Sequence, residues 1–248
     1  VDLVRKADEV GFDGAFMSDH VWHPTKIASA YPYSPDGKPS FDENIPWPDP
    51  WVMIGAFAAA TSRIRFSTAT YVRPLRNVLQ VAKSVGTASD LAGGRVALGI
   101  GVGWMKEEFE ALGQDFGTRG RRTDEMIEAL RRIWRGGETS FEGRHVRIPA
   151  GQMKPAPSKP IPIWVGGQSP AALRRAGSLG DGWIGAGCGP DDVAGFLAEI
   201  GRARKEAWRE GEPFEAIVPL TVPLDRQVVR RMEDLGVTGL VSYPLAYQ

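Results

Sequence analysis

The sequence predicts a (β/α)8 barrel, because one strand-and-helix unit recurs along a chain of the usual length for that fold. The clearest unit begins at Gly94–Trp104, where the apolar run Arg95–Ile100 is typical of a strand buried on both faces. Gly101 and Gly103 then leave room for a flat ligand to approach the backbone. The amphipathic helix Arg121–Trp134 follows. A chain of 248 residues accommodates one barrel of this kind.

Six further strands are predicted from apolar runs, at residues 12–17, 64–70, 161–167, 181–186, 215–222 and 237–243. Asn77 and the pair Ser169-Pro170 are typical helix starts. The segment FEGRHVRI predicts a small hairpin insertion near residues 137–160. Val1 lies within a helical pattern and no helix follows the last strand, so we expect the first strand and the last helix to be missing from this chain. Residues 1–248 are thus predicted to form a single barrel domain that the missing strand and helix would complete. An open doubly wound parallel sheet is the alternative.

The totals exclude several classes of function. Thirty basic and thirty acidic residues cancel, so no global charge favours nucleic acid or an acidic membrane surface. No apolar run approaches the roughly 20 residues that a membrane span needs. Cys188 is the single cysteine, so an internal disulfide is impossible and a reducing, cytoplasmic location is expected.

Candidate ligand-binding residues follow two of the predicted strands, where function collects in a barrel. Gly166–Ser169 leads into a helix N-terminus that suits a phosphate, although a tight turn without a ligand fits the same residues. The imidazole of His20 either contacts a ligand or is hydrogen-bonded within its loop. Asp19 beside it orients His20, binds a cofactor or caps local N–H groups. His23 completes an H-x-x-H spacing, but no third ligand is evident and no metal site is predicted.

Other catalytic motifs are missing from the sequence. The glycines of GIGVG do not complete a dinucleotide fingerprint, and no P-loop or G-x-S-x-G elbow occurs. Cys188 has no basic neighbour in sequence that would make it a nucleophile. Glu107 and Glu108 open a helix and are interpreted as surface carboxylates favoured by the helix dipole. The arginines of Arg119–Arg122 are interpreted as a solvated helix start paired with a carboxylate, with a phosphate contact as the alternative.

In their order along the chain, these pieces resemble the luciferase-like monooxygenase family, the bacterial-luciferase-type barrels that bind FMN or the deazaflavin coenzyme F420. The matching segments are GFDGAFMSDHVW, SRIRFSTATYVRPLRNVLQVAK, LAGGRVALGIGVGWMKEEFEALG, RGRRTDEMIEALRRIW and PIPIWVGGQSPAALRRAGSLGDGWI. They cover most of residues 1–185. The resemblance implies the barrel already predicted from the residues, a homodimer, and a small organic molecule as the substrate.

The resemblance also implies roles for particular residues. Asp19 and His20 match the family's SDH segment, which faces the reactive part of the ring system. Three strand exits would contact the cofactor: Thr68, Ala69 and Thr70 at one ring face, Gly101, Val102 and Gly103 at the ring and ribityl chain, and Gly166, Gly167, Gln168 and Ser169 at the phosphate. In deazaflavin members the first exit contains a non-proline cis peptide, expected here between Thr68 and Thr70.

One residue departs from the family pattern. The sugar-phosphate dehydrogenase branch has a catalytic glutamate where this chain has Trp104, and an indole does not relay a proton in that way. We therefore expect a different substrate, with Trp104 as a wall of the substrate pocket or as a packing residue. Basic residues that would hold a substrate phosphate are not evident either.

The resemblance implies a coenzyme F420-dependent oxidoreductase that transfers hydride between the deazaflavin and an organic substrate, since VGW followed by EEFEALG looks most like the members that use this cofactor. His20 is the predicted catalytic residue, with Trp22 as its neighbour. The alternative is an FMN-dependent monooxygenase that uses oxygen and reduced flavin from a partner reductase. A protein of another class, which binds the cofactor without turnover, fits the same residues. The substrate itself is not predicted, because its pocket depends on the loop of residues 21–50.

Overall fold

The computed structural model describes residues 1–39, 41 and 45–242, and the chain divides into two compact units, Val1–Pro162 and Ile163–Gln248. The predicted α/β class is confirmed, because mainly parallel strands alternate with helices in both units. No helix in the described ranges is long and apolar enough to cross a membrane. The final residue of the last predicted strand, Tyr243, lies outside the described residues.

The first unit contains five helices: α1 (Asp2–Val10), α2 (Pro50–Ala59), α3 (Val78–Leu91), α4 (Lys106–Ala111) and α5 (Arg119–Trp134). Its strands are β1 (Gly14–Met17), β2 (Arg65–Thr68), β3 (Tyr71–Val72), β4 (Leu98–Gly101), β5 (Thr139–Glu142) and β6 (Arg147–Gly151). Strand β1 pairs in parallel with β2, and β3 with β4. Strands β5 and β6 form the predicted hairpin and are antiparallel.

The strand predicted over residues 64–70 is wrong in its extent, because it is interrupted after Thr68. Met17 of β1 pairs with Thr68, whereas Tyr71 of β3 pairs with Ile100 of β4. The chain therefore changes its neighbouring strand between these two pairs. The peptide bond between Ala69 and Thr70, within this interruption, is cis. A short 3₁₀ helix, Arg73–Leu75, follows β3.

Helix α3 forms where the sequence predicts it, for the reasons predicted. The Asn77 side chain accepts hydrogen bonds from the backbone N–H groups of Leu79 and Gln80, at 2.9 and 3.4 Å. The apolar residues recur at helical spacing and are buried, namely Val78, Val81, Ala82, Val85 and Ala88. The buried face packs α3 against α2 and α5 of the first unit.

The second unit contains α6 (Pro170–Leu179), α7 (Pro190–Glu206) and α8 (Arg226–Asp234), with strands β7 (Ile163–Gly166), β8 (Gly182–Ile184), β9 (Glu215–Pro219) and β10 (Gly239–Val241). The strands lie in the order β7-β8-β9-β10 and pair in parallel. Helices α6 and α7 pack closely at Gly177, where any Cβ would collide with the side chain of Ala203 and the backbone of Ile200.

The side chain of Asp8 connects α1 to the residues just before β2 through hydrogen bonds. Its carboxylate accepts hydrogen bonds from the backbone N–H groups of Ser62, Arg63 and Ile64, at 2.9, 3.1 and 2.7 Å. The bond from Ser62 contributes most to holding the pKa of Asp8 below its ordinary value, while burial acts in the opposite direction. The ionised carboxylate is thus the form that the folded chain favours.

We expect Asp8→Asn to lower the free energy of unfolding at neutral pH. We also expect this free energy to change less with pH in the acid range. The folded pKa of Asp8 lies below the unfolded value of about 3.9, so its contribution is complete above that pH and is lost as the pH falls through the folded pKa. Urea unfolding monitored between pH 2 and 7 measures this. Asp2→Asn, an equal change at an exposed carboxylate of the same helix, is the control; equal acid dependence in both variants would contradict the prediction.

Candidate functional site

The carboxylate of Glu108, in α4, is the centre of the candidate site in the first unit. Its Oε1 accepts hydrogen bonds from the backbone N–H groups of Val21 and Trp22, at 2.6 and 3.2 Å. Its Oε2 lies 3.0 Å from Nδ1 of His20. The side chains of His20 and Glu108 are 8% and 1% exposed, so little water competes for these bonds. One buried acid therefore fixes three consecutive residues of the loop.

This contact also fixes the hydrogen on the His20 ring. A carboxylate only accepts hydrogen bonds, so Nδ1 of His20 carries the hydrogen that points at Glu108. Nε2 is then the ring nitrogen that presents a lone pair to a ligand. Because the carboxylate stabilises a protonated ring as well, the pair can accept a proton at Nε2 and return it.

The interpretation of Glu108 as a surface carboxylate is wrong. Met105, Glu108, Phe109 and Leu112 recur at the spacing of one helix face, and the first three are 1% exposed or less. Glu108 therefore occupies a position on the buried side of α4. The apolar neighbours at helical spacing were the signal in the sequence that could have identified it.

Glu107 likewise faces the loop rather than solvent. Its Oε1 accepts hydrogen bonds from the backbone N–H groups of Ala28 and Ser29, at 2.7 and 3.0 Å. The Ser29 hydroxyl accepts a further bond from the backbone N–H of Lys106, at 3.0 Å. Two adjacent glutamates of α4 thus hold the loop at residues 20–22 and again at residues 28–29.

Asp19 connects the end of β1 to β3. Its two carboxylate oxygens accept hydrogen bonds from the Arg76 guanidinium, each at 2.7 Å, and one also accepts the Val72 N–H at 2.9 Å. Burial raises the pKa of Asp19 above its ordinary value, and the charge of Arg76 opposes that rise. Capping an N–H group is among the roles that the sequence left open; a direct contact with a cofactor stays a prediction.

An aromatic cluster surrounds His20, formed by Tyr31, Phe41, Trp47 and Trp104. The His20 ring lies edge-on to Trp47 and Trp104, with centroid distances of 4.8 and 6.3 Å, and is tilted against Phe41 at 6.1 Å. Tyr31 closes the group, edge-on to Trp104 at 5.2 Å. Such pairs contribute about 0.5–1.5 kcal/mol each beyond the area that they bury. The walls around the imidazole are therefore aromatic and uncharged.

The predicted neighbour Trp22 is placed differently from these rings. Its backbone N–H is bound to Glu108, but the residue is 61% exposed. Trp47, which the sequence did not single out, has the closest ring to His20 of the described cluster. The path of a long irregular loop decides which of its aromatic residues reaches the imidazole, and no periodic pattern encodes that path.

The three predicted residues at the β2 exit differ in exposure. The Thr68 hydroxyl is buried and donates to the Gly99 carbonyl at 2.6 Å, whereas Ala69 and Thr70 are half-buried. The backbone N–H of Ala69 donates to the Met17 carbonyl at 2.8 Å. The cis peptide expected between Thr68 and Thr70 is the Ala69–Thr70 bond. Backbone and small side chains thus form the surface at this strand end.

At the β4 exit, Gly101–Gly103, neighbouring side chains lie so close to the two glycines that there is no space for a Cβ atom. A Cβ at Gly101 would collide with the Thr70 hydroxyl. Gly103 has φ +81°, and a Cβ there would approach Val72 to 2.6 Å and Phe109 to 2.7 Å. Gly101, Val102 and Gly103 are all half-buried. Only glycine satisfies both the conformation and the space at residue 103.

The expectation of a solvated Arg119–Arg122 segment paired with a carboxylate is incomplete: the Asp115 carboxylate does interact with the charge of Arg122, but Arg119 and Arg122 are half-buried and also bind backbone carbonyls. Arg119 donates to the Gly103 carbonyl at 3.1 Å and lies 3.7 Å above the Phe116 ring. Arg122 donates to the carbonyls of Pro74 and Asp115, at 3.0 and 3.1 Å. These two arginines therefore hold backbone carbonyls that lie outside the regular strands.

In the second unit, the predicted phosphate segment is a turn that leads into α6. Gly167 has φ +113°, and its carbonyl accepts a hydrogen bond from Nε1 of the fully buried Trp183 at 2.8 Å. Gln168 donates to the Gly187 carbonyl at 3.4 Å. The Ser169 hydroxyl caps α6 by accepting from the Ala172 N–H at 3.2 Å, and Pro170 is the first helical residue. Gly166 is half-buried and precedes this turn.

Cys188 lies beside this turn and stays a thiol. Burial raises its pKa to about 11, and the charge of Asp192 adds to the rise. This agrees with the sequence-based exclusion of Cys188 as a nucleophile.

Parallel strands that alternate with helices, glycine-rich strand ends and, in the first unit, a histidine held by a buried acid are typical of α/β enzymes. The chain belongs to the luciferase-like monooxygenase family, whose model matches residues 1–240. This is an oxidoreductase family with F420- and FMN-dependent members.

Two relatives illustrate the range of the family. An uncharacterized protein of Mycobacterium bovis is 37% identical over 241 residues, which are 97% of this chain and 83% of that protein. The F420-dependent glucose-6-phosphate dehydrogenase of Nakamurella multipartita is 29% identical over 239 residues, 94% of this chain and 66% of the enzyme.

Two solved structures have the same fold. An F420-dependent secondary alcohol dehydrogenase in complex with an F420-acetone adduct has a TM-score of 0.73 at 21% identity, over 88% of this chain and 62% of that chain. The FMN-bound oxygenating constituent of 3,6-diketocamphane monooxygenase from Pseudomonas putida has a TM-score of 0.64 at 21% identity, over 88% and 59%. The chain thus spans about three fifths of these proteins. Luciferase-like structures of this kind are (β/α)8 barrels, the fold class predicted from the sequence.

We expect Glu108→Gln to reverse the tautomer of His20. The oxygen of the new amide must stay with the N–H groups of Val21 and Trp22, since its NH₂ group would oppose two donors there. The NH₂ group then faces Nδ1, which becomes an acceptor, and the ring hydrogen moves to Nε2. Selective ¹⁵N-histidine labelling measures this, and with three histidines in the chain the His20 signals are identified by their loss in His20→Gln.

Glu107→Gln is the matched control on the neighbouring residue. Oε1 of Glu107 holds Ala28 and Ser29, while its Oε2 is buried without a hydrogen-bond partner among the described residues. An amide fits there without disturbing His20. Unchanged ring-nitrogen shifts in Glu108→Gln, or equal changes in both variants, would contradict the role assigned to Glu108.

Proposed function

We propose that the protein is a coenzyme F420-dependent oxidoreductase that exchanges hydride with a small organic substrate. The observation that carries the proposal is the buried His20–Glu108 pair among aromatic walls, at the strand end where the family places the reactive part of its cofactor. The similarity to an F420-dependent dehydrogenase over 94% of this chain supports the deazaflavin over FMN.

Each unit, considered by itself, contains residues that suit a chemical group present in such a cofactor. In the first unit, side chains of Thr70, Val72 and Phe109 occupy the space where a Cβ of Gly101 or Gly103 would lie, so these two half-buried residues present bare backbone, which suits the face of a flat ring. In the second unit, the N-terminus of α6 begins at the Gly167 turn and presents backbone N–H groups and a positive dipole end, which suit a phosphate. When bound, the deazaflavin would supply or take up the hydride at its ring carbon.

His20 supplies the proton transfer that must accompany that hydride. With Nδ1–H donated to Glu108, Nε2 accepts the hydroxyl proton of a substrate that is oxidised from an alcohol to a carbonyl compound. In the reverse direction the protonated Nε2 returns the proton to the carbonyl oxygen as the hydride arrives at carbon. Glu108 holds the ring in place and balances its charge in the protonated state.

The aromatic cluster defines the rest of the substrate site. Tyr31, Phe41, Trp47 and Trp104 exclude water and offer ring faces and edges, but no charged group. Trp104 stands where the sugar-phosphate branch has its glutamate, so His20 remains the acid–base group of this site. These walls favour an apolar or aromatic substrate body over a sugar.

The alternative is a monooxygenase that uses FMN, with reduced flavin supplied by a partner reductase. The structural similarity to an FMN-bound oxygenating enzyme supports it. The same histidine and aromatic walls would then surround the reduced flavin and its organic substrate.

We also propose a homodimer formed through the outer face of α2. Val52 is 72% exposed, and Ala56 and Ala59 on the same face are not buried either. Leu91, at the end of α3, is 65% exposed and approaches α2 at Gly55. An apolar stripe across two neighbouring helices is typical of a surface that a second copy covers.

Titration with coenzyme F420 and with FMN, in oxidised and reduced forms, tests the cofactor. Saturable binding of F420, seen as a change in deazaflavin fluorescence, is expected, with weaker or no binding of FMN. The affinity should fall with added salt, because a phosphate binds at α6. Preference for reduced FMN would favour the oxygenase, and failure of both to bind would overturn the proposal.

The same titration on His20→Gln separates an enzyme from a binding protein. We expect cofactor affinity within about threefold of wild type and a turnover loss of about 10²- to 10⁴-fold, the usual contribution of an acid–base group. His23→Gln, in the same loop, is the control and should retain activity. Tight cofactor binding with no turnover by the wild-type protein would indicate the binding class.

Val52→Asp should shift the protein from a dimer towards the 27.0 kDa chain in sedimentation velocity. A carboxylate buried against an apolar partner surface has no counter-charge and opposes association. Trp208→Asp, in the second unit at a residue that is 94% exposed, is the control and should leave the mass unchanged. A wild-type monomer, or a Val52→Asp dimer, would contradict the proposed interface.

A further inference from the structure

Arg73 is a buried charge that the described chain does not balance. The residue is 0% exposed, and none of its three guanidinium nitrogens has a hydrogen-bond partner among the described residues. Burying an ion without partners lowers the free energy of unfolding by several kcal/mol. Buried charges in native proteins therefore usually have a hydrogen-bonded partner. The described residues therefore leave the Arg73 guanidinium without a hydrogen-bond partner.

The neighbouring groups do not provide that partner. Arg76, three residues further along the chain, forms a bidentate ion pair with Asp19. The charges of this pair cancel, so Asp19 does not also balance the charge of Arg73. The groups that act electrostatically on Arg73 are the Tyr71 hydroxyl and Arg76, and the second is a like charge. No described carboxylate acts on it.

Titration does not remove the charge either. Burial lowers the pKa of Arg73 to about 9, so the guanidinium remains protonated at neutral pH. Burial raises the pKa of Tyr71 to about 12, so its hydroxyl does not become a phenolate counter-ion. A positive charge thus persists at this strand end under physiological conditions.

Hydrogen bonds hold the backbone on both sides of Arg73, and the buried side chain has little room to move. The Val72 N–H is held by Asp19, the Val72 carbonyl accepts from Arg76 at 3.2 Å, and the Pro74 carbonyl accepts from Arg122 at 3.0 Å. The residue lies in the 3₁₀ helix directly after β3, at a strand end.

We propose that Arg73 anchors an oxyanion-binding site at the end of β3, which takes the carboxylate or phosphate group of a small molecule. The planar guanidinium matches two oxygens of such a group with parallel hydrogen bonds. This site is additional to the phosphate segment at α6 and does not depend on which cofactor the protein binds. Because Arg73 is enclosed, binding requires local opening, and slow association is expected.

The test is thermal unfolding and calorimetric titration with inorganic phosphate, sulfate, acetate and benzoate at constant ionic strength. Wild type should show saturable stabilisation by at least one of these anions. Arg73→Leu should melt about 2–4 °C higher than wild type without anion, because an unbalanced buried charge is removed. Its anion affinity should fall about 10- to 100-fold, as expected for losing charge-assisted hydrogen bonds.

Two further variants keep the outcome decisive. Arg73→Lys retains the charge without the planar fork and should bind the anion with intermediate affinity, which also provides a folded variant if Arg73→Leu does not fold. Arg121→Leu removes an equal charge from an exposed position and should bind like wild type. Tighter binding of benzoate than of phosphate identifies an organic acid as the ligand class, and the reverse order identifies a phosphorylated compound.

The proposal is overturned if no anion stabilises wild type saturably, or if Arg73→Leu binds anions as wild type does. Titration of the same variants with F420 and FMN separates this result from the proposed function. Loss of anion binding with cofactor binding retained supports a separate oxyanion site, whereas joint loss of both in Arg73→Leu would assign the residue to the cofactor site and contradict it.

Discussion

The hydrogen bonds accepted by the buried carboxylate of Glu108 determine where the imidazole of His20 lies. Residues 18–49 form no helix or strand where they are described, so their backbone N–H groups lack the partners that secondary structure supplies. Glu108 and Glu107 supply acceptors at two places in that loop. The position of His20 is therefore a property of helix α4 as much as of the loop that carries it.

The sequence predicted the regular elements well, since their causes are local. The burial pattern of α3, the cap at Asn77 and the hairpin of β5 and β6 all follow from spacing or from turn residues. The interruption after Thr68 was not predictable in the same way. The run IRFSTATYV is uniformly typical of a strand, and the change of neighbouring strand that divides it depends on the arrangement of β1 and β4.

The sequence named candidate residues at the strand ends, but it did not indicate the roles of Glu108 and Arg73. Strand-exit glycines and the SDH segment were recognised from motifs, and Gly103 and Gly167 do have the backbone conformations that explain glycine there. Glu108 was misassigned because a glutamate at a helix start usually faces water, although its apolar neighbours share its helix face. Arg73 was overlooked because sequence gives no measure of burial for a single arginine; Arg76, three residues away, is paired and Arg73 is not.

The loop is attached to α4 through main-chain groups, and this has a consequence for how the protein can be altered. Val21, Trp22, Ala28 and Ser29 each contribute a backbone N–H to Glu107 or Glu108, and every residue except proline has such a group. The attachment through Val21, Trp22 and Ala28 is therefore insensitive to their side chains, whereas the Ser29 hydroxyl also accepts a hydrogen bond from the Lys106 N–H. Residues facing His20 can be exchanged in a combinatorial library while the anchoring glutamates stay constant, so recognition and anchoring are separable in redesign.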